Sequence, residues 1–588
     1  MMKFKSIFKP AAAVLAAAIA LASCEVDTTT VMFEEDHNFS DPTDTVFSML
    51  GIIGLVQEVA ERNVVLGEVR GDLMAPAPLT ADETLVNLAN SEDLEDETYN
   101  RYRDYYAIIN NCNFYLARAD SAMERRGERV FLKEYAAVSA YRAWAYLWLA
   151  QIYGTVPFYT EPLLSYSDVE RVMNDPSNRK GMADICAYFI DDLRPYVDTP
   201  YPQYGDFTYG EDQTIRSEYI FLPVRLLLGD LYLWRGSVTG NRTDFAEAAQ
   251  CYRDYLVEND KFIFPSSVSA YRTSPSATSV ELYRGWDGMS NSLGSALISV
   301  VPMAETDFYG RVGTLSTVFS SFNFLASESL KDLVENAYYC YAASYIAEGA
   351  EEGVSRFRLV EDTRYYGTPE APVYLSYVAA VEEGTVTPEY ATGDLRLYEF
   401  PTGNEYDMNV EGYNLGWPHV GTYRTNTVFL RLAEAINRAG YPYTAFGVLK
   451  YGLSRGNLVY YDKHGELSRL MQSGYTFYDF GDNTDNVGIH ARGCGNAEMD
   501  TLHYTLPALA SLEDSIREVE NFLIDEMALE SPYNGSRFFS LMRFALRRGD
   551  PSFLADRVAR RGNPDMPDET LRNRLSNPDN WYLPMTEN

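Results

Sequence analysis

The chain has 588 residues, 46% of them hydrophobic, and is long enough to bury one large core or two ordinary ones. Asp and Glu outnumber Lys and Arg by 84 to 49, and the resulting formal charge of −35 makes nucleic acid a poor partner. For the same reason, the body of the protein cannot bind anionic lipid head groups through its own charge.

The N-terminus has the pattern of a bacterial lipoprotein signal peptide. Lys3, Lys5 and Lys9 precede an apolar run over residues 11–22, which is too short to span a bilayer as a stable helix. The run ends in Leu-Ala-Ser-Cys24, and a lipoprotein peptidase requires small residues before a cysteine. We predict that residues 1–23 are removed and that lipid on Cys24 holds the protein on a membrane. An ordinary secretory signal with a chance cysteine is the alternative.

Helical patterns dominate the chain after a polar, acidic tether over residues 24–41. Apolar residues recur there at helical spacing, whereas strand patterns are short and confined to the middle and late chain. The predicted helices cover residues 45–62, 99–119, 134–153, 182–197, 217–236, 245–259, 427–439, 443–455 and 512–529.

Two segments show the alternation of small and large residues that is typical of tetratricopeptide helix pairs. The first is marked by Leu228, Gly229, Tyr232 and Gly236, then Phe245, Ala248 and Tyr252. A looser copy is marked by Leu432, Ala433, Ile436 and Gly440, then Tyr443, Ala445 and Leu449. Because a small residue on one helix admits a ring from its partner, we predict stacked helix pairs.

Residues 261–420 differ from the rest of the chain, since they are rich in Gly, Ser, Thr and Tyr and have few long helical runs. They are interpreted as a loop-rich insertion on the helical scaffold, where binding chemistry tends to lie. A poorly packed linker is the alternative. The chain is thus divided into five segments: the signal peptide (1–23), the tether (24–41), the N-terminal helical region (42–260), the loop-rich insertion (261–420) and the C-terminal region (421–588).

Cysteine and histidine give no pattern for a disulfide framework, a redox pair or a zinc site. The cysteines other than Cys24 are widely spaced and odd in number: Cys112, Cys186, Cys251, Cys340 and Cys494. The five histidines are scattered and form no HExxH motif, which argues against a zinc hydrolase. No cofactor is predicted.

A cluster of acids late in the chain is the one candidate for a structural Ca²⁺ ion. Asp479, Asp482 and Asp485 lie near Asn483 and Asn486, and these side chains carry oxygen ligands that suit Ca²⁺. The spacing by three does not match an EF-hand loop, so chance clustering is the stronger interpretation.

Residues 134–157 carry the most specific pattern. The predicted helix is apolar nearly all round, so it must be buried, and it ends at Gly154, with Pro157 barring continuation. Its charges, Glu134 and Arg142, lie roughly 12 Å apart along the axis, and each needs a partner from another helix. The segment closely resembles the signature helix of the SusD/RagB family, which runs Glu, Arg-Ala, Tyr-Gly, Val-Pro.

Further segments resemble that family's blocks, in the family's order, over nearly the whole mature chain. They are Leu66-Gly67-Glu68-Val69-Arg70-Gly71-Asp72, Tyr106 to Asn113, Ile190-Asp191-Asp192-Leu193, the first helix pair, Leu430 to Ala435, Asp525 to Glu530, Gly535-Ser536-Arg537-Phe538 and Tyr582-Leu583-Pro584-Met585. Met527 departs from the pattern, because an Arg is usual there, and the helix over 431–439 is shorter than the family's common version.

The charged residues in these blocks are interpreted as core ion pairs and not as catalytic groups. Arg431 and Glu434 are three apart on one helical face and are expected to pair. Glu526 and Glu530 are four apart and are expected to repel each other unless an arginine such as Arg537 or Arg543 lies between them.

The resemblance implies an all-α, SusD-like fold in which tetratricopeptide-type helix pairs form the scaffold and a loop-rich, mixed insertion binds ligand. It implies a lipid-anchored protein on the outside of the outer membrane, and Glu25 and Asp27 after the lipidated cysteine agree with that location. Such proteins bind glycans, or in some branches peptides, and deliver them to a SusC-like TonB-dependent transporter. They are binders and not enzymes.

No motif transfers the ligand residues, so candidates are chosen by residue type and position. Aromatic rings suit the flat C–H faces of sugars, and the rings within or beside the insertion are Tyr283, Trp286, Tyr365, Tyr366 and Trp417. Each of these rings could equally be part of the core. Two other functional classes stay open, namely a surface glycoside hydrolase and a helical-repeat assembly factor that binds only protein.

Overall fold

Helices make up most of the structure, and short strand pairs join their ends. In this computed structural model, the described residues are 39, 42–78, 81–209, 213–263, 297–303, 313–319, 323–336, 419–462, 464–482, 486–491 and 504–585, together with the backbone of short strands between 270 and 392. The predicted all-α class is confirmed.

The helices include long ones in both halves of the chain and short ones between them. In chain order the α-helices are α1 (Pro42–Glu68), α2 (Glu83–Ala89), α3 (Tyr102–Arg118), α4 (Leu132–Tyr153), α5 (Tyr166–Asn174), α6 (Met182–Leu193), α7 (Val224–Thr239), α8 (Arg242–Glu258), α9 (Leu315–Val318), α10 (Glu328–Glu335), α11 (Thr425–Arg438), α12 (Pro442–Lys450), α13 (Arg455–Asp462), α14 (Glu466–Ser473), α15 (Leu512–Glu530), α16 (Arg537–Arg548), α17 (Ser552–Ala559) and α18 (Glu569–Leu575). Single 3₁₀ turns cover Pro176–Asn178, Arg194–Tyr196, Ser217–Ile220 and Pro578–Trp581.

The strands are two to five residues long and pair antiparallel. They are β1 (Met74–Pro76), β2 (Glu124–Arg125), β3 (Glu128–Arg129), β4 (Val156–Pro157), β5 (Arg179–Lys180), β6 (Asp206–Tyr209), β7 (Gln213–Arg216), β8 (Ala270–Tyr271), β9 (Glu281–Leu282), β10 (Leu297–Val301), β11 (Phe324–Ala326), β12 (Tyr338–Tyr339), β13 (Ser344–Ile346), β14 (Ser355–Leu359), β15 (Tyr377–Ala379), β16 (Ala391–Thr392) and β17 (Val420–Arg424). Most pairs are local, but β1 pairs with β11 and β10 with β17.

These two distant pairs attach the segment over 261–420 to the helical scaffold. In the register of β10 and β17, Val301 lies opposite Val420 and Leu297 opposite Arg424, so the segment leaves and rejoins the helices at one place. β11 lies opposite Met74–Pro76 at the end of α1. The division of the chain into five segments stays a prediction.

Helix α4 is buried on nearly all sides, as its sequence predicts. Arg142 donates to Asp192 of α6 at 3.0 Å and to Asn113 of α3 at 3.1 Å, so its predicted partner from another helix is confirmed. Glu134 differs, because it accepts a hydrogen bond at 3.4 Å from Tyr204, which lies in a loop.

The predicted helix pairs are α7 with α8 and α11 with α12. Tyr252 of α8 lies so close to Gly229 of α7 that a Cβ at position 229 would be 2.6 Å from its ring. The hydroxyl of Tyr252 donates to Asp230 at 2.7 Å. The small residue therefore admits the ring of the facing helix, and the ring's polar end is satisfied by the next residue along α7.

The segment at the end of α1 fastens the N-terminal half to the C-terminal half. Both carboxylate oxygens of Glu68 accept backbone N–H groups of the turn over 533–537, at 2.8 to 3.3 Å. Asp72 forms a two-pronged ion pair with Arg537 at 2.5 and 2.8 Å. The guanidinium of Arg70 lies 4.1 Å from the ring centre of Phe538. Two segments that resemble blocks of one family, far apart in sequence, are thus in direct contact.

The predicted pairing within the C-terminal blocks is wrong. Arg431 binds Asp230 at 2.8 Å, whereas Glu434 binds Arg543 of α16 at 2.7 Å, so these two neighbours on α11 do not pair. A spacing of three residues on one helix does not decide which groups pair here. A buried carboxylate is stabilised more by two hydrogen bonds from a guanidinium on a facing helix than by a single contact along its own helix.

Neither of the two named arginines pairs with Glu526 or Glu530, because Arg537 is bound to Asp72 and Arg543 to Glu434. His490 Nδ1 lies 2.5 Å from Glu526 Oε1, and Asn426 donates a hydrogen bond to Glu530.

Candidate functional site

A cavity lies where the helix pairs meet the end of β17. Its volume is about 130 Å³, and its walls come from α1, α4, α7, α11 and α16, from β17 and from the turn over 531–536. Such a volume holds roughly ten water molecules. The cavity is therefore of the order of size of a single sugar unit.

One wall is aromatic. Trp144 and Trp148 lie one turn apart on α4, so they share a face, and their rings meet edge to face with centres 6.0 Å apart. Phe539 of α16 packs against Trp148 at 5.3 Å, and the guanidinium of Arg543 lies 5.3 Å from the ring centre of Trp234. These rings give the cavity flat apolar surfaces.

Asp230 organises the polar side of the cavity. Its two oxygens accept hydrogen bonds from the hydroxyls of Tyr252 and Tyr423, each at 2.7 Å, and from Arg431 at 2.9 and 2.8 Å. Although burial opposes the charge of Arg431, the carboxylate of Asp230 raises the pKa of its guanidinium above the ordinary value. Four hydrogen bonds saturate the lone pairs of Asp230, so its carboxylate is a structural anchor and not an available base.

A second ion-pair network supports the cavity from behind. Glu434 binds Arg543 at 2.7 and 2.8 Å and also contacts Arg547. Burial opposes the ionisation of Glu434, but these guanidinium groups lower its pKa to about 2. Arg547 also forms an ion pair with Glu520, and Glu520 in turn pairs with Arg438 at 2.6 Å. The network holds α11, α15 and α16 together.

Four polar groups that line the cavity are buried and have an atom without a hydrogen-bond partner among the described residues. They are Asn63 Nδ2, Thr422 Oγ1, Arg424 Nε and Ser531 Oγ. Buried polar atoms are usually paired, and each unpaired one calls for water or a ligand. The cavity thus combines aromatic walls with unsatisfied polar groups, an arrangement suited to reversible binding of a small polar molecule.

The predicted functional residues lie elsewhere in the chain. Cys24, Tyr283, Trp286, Tyr365, Tyr366 and Trp417 all lie outside the described residues. Their roles therefore stay predictions. Within the described parts of the chain, no helix is both long and apolar enough to cross a membrane.

The acidic cluster near residue 480 is described only in part, because Asp485 lies outside the described residues. Asp479 accepts the backbone N–H of Gly481 at 2.8 Å, and Asp482 pairs with Arg455 at 3.2 Å. No group of three ligating side chains that could hold a metal ion occurs among the described residues. The Ca²⁺ site stays a prediction.

Sequence reasoning missed the cavity itself. Trp144 and Trp148 belong to the helix whose pattern predicts burial, and Gly229 to Tyr252 were interpreted as packing, so the rings were assigned to the core. The sequence around Arg424 contains one indication of the cavity. Arg424 directly precedes α11, and the first turn of that helix has no acidic residue with which the arginine could pair. By itself such a residue predicts only a surface charge.

Comparisons with known proteins found no matching family model and no matching curated relative. Among solved structures, the chain is similar to a SusD superfamily protein from Bacteroides vulgatus, with a TM-score of 0.51, 11% identity and coverage of 92% of this chain and 95% of that one. A SusD superfamily protein from Bacteroides thetaiotaomicron has 13% identity, a TM-score of 0.49 and coverage of 91% and 94%. A SusD-like carbohydrate binding protein from Bacteroides vulgatus has 14% identity, a TM-score of 0.46 and coverage of 86% and 84%.

The first of these likenesses extends over nearly the full length of both chains. The chain therefore has the fold of the SusD superfamily proteins.

Proposed function

We propose that the protein is a cell-surface binding protein of the SusD/RagB type, which captures oligosaccharides and delivers them to a SusC-like TonB-dependent transporter. The observation that carries this proposal is the fold shared over 92% of the chain with a SusD superfamily protein. The family-like segments around Glu68 and Arg537 support it, because they contact each other.

The lipid anchor is the first part to test. Cys24 is proposed to carry the lipid, because a strongly acidic protein does not bind anionic lipid head groups through its own charge. In cells fed labelled palmitate, Cys24→Ala is expected to lose the label and to leave the membrane fraction. Cys251→Ala, at a half-buried cysteine, is the matched control and should keep both. Retained label in Cys24→Ala would contradict the anchor.

Ligand capture by aromatic stacking is the second part. Trp286→Ala and Trp417→Ala are expected to weaken binding of an oligosaccharide chosen from a glycan array, because each removes a ring that could lie flat on a sugar face. Tyr166→Ala removes a ring that is 77% exposed on α5 and serves as the control. Unchanged affinity by calorimetry in both tryptophan variants would overturn the choice of residues.

Handover to a transporter is the third part. Affinity purification of the full-length protein from its native membrane is expected to recover a TonB-dependent transporter. A binder that releases its ligand unchanged should also yield no new reducing sugar when incubated with the glycans that it binds. Released reducing sugar would favour a glycoside hydrolase, and an array on which only peptides bind would favour the peptide branch of the family.

A further inference from the structure

Arg424, the last residue of β17, is a buried cation that has no ion pair among the described residues. Its exposed fraction is 4%, and its Nε has no hydrogen-bond partner. Two other arginines line the same cavity, and both are neutralised, Arg431 by Asp230 at 2.8 Å and Arg543 by Glu434 at 2.7 Å. An unpaired guanidinium in such a place costs stability unless something neutralises it. The cavity therefore has one positive charge in excess.

The unpaired atoms that line the cavity with Arg424 favour a ligand that accepts hydrogen bonds. Asn63 Oδ1 is occupied by the hydroxyl of Tyr105, so the free group of this amide is its NH₂ donor. The hydroxyls of Thr422 and Ser531 can each donate a further hydrogen bond. Together with the guanidinium, four donor groups line one cavity. A carboxylate, with two oxygens and about four lone-pair sites, matches both the charge and the donors.

The rest of the cavity restricts the size and shape of the ligand. A volume of about 130 Å³ holds roughly ten water molecules, which is the order of size of one pyranose unit. The indole rings of Trp144, Trp148 and Trp234 supply apolar surfaces against which the C–H face of a pyranose can pack.

We infer that this cavity binds a carboxylated monosaccharide unit, such as a uronic acid, with the carboxylate on Arg424. The inference rests on the proposed function, in that it assigns an acidic sugar to a protein proposed to capture glycans. Arg424 would bind both carboxylate oxygens through its planar fork, and Asn63, Thr422 and Ser531 would donate to the remaining lone pairs and ring substituents. Selectivity for an acid would follow from the excess charge of the cavity.

The test is calorimetry on the full mature chain with glucuronate and galacturonate, and with glucose and galactose as neutral probes. The acids are expected to bind at least tenfold more tightly than the neutral sugars. Arg424→Met keeps much of the side-chain volume and removes the charge, so it should weaken acid binding at least tenfold. Arg455→Met, at an arginine that is 61% exposed and distant in sequence, is the control and should bind as the wild type does.

Two further measurements keep the inference falsifiable. Arg424→Met is expected to raise the midpoint of thermal unfolding without ligand, because it removes an uncompensated buried charge, whereas added glucuronate should stabilise only the wild type. Thr422→Val removes one hydroxyl at nearly constant volume and should weaken acid binding several-fold. Equal affinity for acidic and neutral sugars, no binding of the acids, or unchanged acid binding in Arg424→Met would each overturn the inference.

Failure of the inference is distinguishable from failure of the proposed function. If Arg424→Met and the wild type bind the same neutral oligosaccharides on the array and recover the same transporter, the proposed function stands without the acidic site. If the acids bind through Arg424 but no transporter is recovered, the cavity assignment stands and delivery to a transporter is contradicted.

Discussion

Gly67, at the end of α1, lies directly against the backbone of Gly535 in the other half of the protein, and Gly67→Ala tests whether that contact holds the fold together. A Cβ at position 67 would lie 2.5 Å from the carbonyl carbon of Gly535 and would overlap its oxygen. The turn cannot retreat easily, because Gly535 has φ of +82° and a Cβ at that position would itself lie 2.6 Å from Val64 Cα. The clash is therefore between two backbones and not with a flexible side chain.

The cost follows from what the displaced turn does. Its backbone N–H groups, including that of Gly535 at 2.8 Å, donate to the buried carboxylate of Glu68. Burial raises the pKa of Glu68 to about 7, and above that pH its side chain is ionised. A hydrogen bond to a charged group contributes about 1.5–3 kcal/mol, so losing two of the four there would cost about 3–6 kcal/mol. That loss is a large share of the 5–15 kcal/mol typical of a folded domain, and we expect Gly67→Ala to be strongly destabilised or unfolded.

The measurement is urea unfolding of purified Gly67→Ala followed by circular dichroism. Gly51→Ala and Gly54→Ala are matched controls on the same helix, because no atom lies within 4 Å of a Cβ at either position. Replacing an unobstructed helical glycine by alanine should stabilise α1 by up to about 1 kcal/mol. If Gly67→Ala unfolded within about 1 kcal/mol of the wild type, the contact between α1 and the turn would not be as the structure has it.

Three further predictions concern the buried ion pairs and the helix pair. Because the pKa of Glu434 is lowered from 4.5 to about 2, its contribution of about 3 kcal/mol is present above pH 4.5 and is lost as the pH falls towards 2. The stability difference between the wild type and Glu434→Gln should shrink over that range, and a constant difference would contradict the assignment. Asp230→Asn leaves the buried Arg431 without a carboxylate and should lower the free energy of unfolding by about 3–5 kcal/mol in urea titrations. A change below about 1 kcal/mol would rule out the anchor role. Gly229→Ala should cost about 1–3 kcal/mol by overpacking against Tyr252, whereas Gly229→Ala combined with Tyr252→Phe should recover none of it, because the clash is with the ring and not the hydroxyl.

α16 is missing from the helices that the sequence predicts, although its apolar residues Phe538, Leu541, Met542 and Ala545 recur at helical spacing and are buried. The predicted helix over 443–455 extends past the end of α12, because that helix ends at Lys450 and the chain turns through Gly452 with φ of +72°. The apolar period therefore indicates where a helix lies better than where it ends.

The local features of the protein follow from the sequence alone. A helix that is apolar all round must be buried, and a glycine facing a tyrosine at tetratricopeptide spacing must admit its ring, since both follow from residues within one or two helices. The burial of α4 and the contact between Gly229 and Tyr252 were therefore predictable.

Which charges meet, and where a cavity is left, depends on how the helices pack in three dimensions. A buried carboxylate must find a cation, but its sequence neighbours do not say which one. Asp230 binds Arg431 some two hundred residues away, and Glu434 binds Arg543 on another helix. Arg424 was left without an ion pair among the described residues by the same packing. The physical reason is that ion pairing and cavity shape depend on the placement of whole helices, which no local pattern contains.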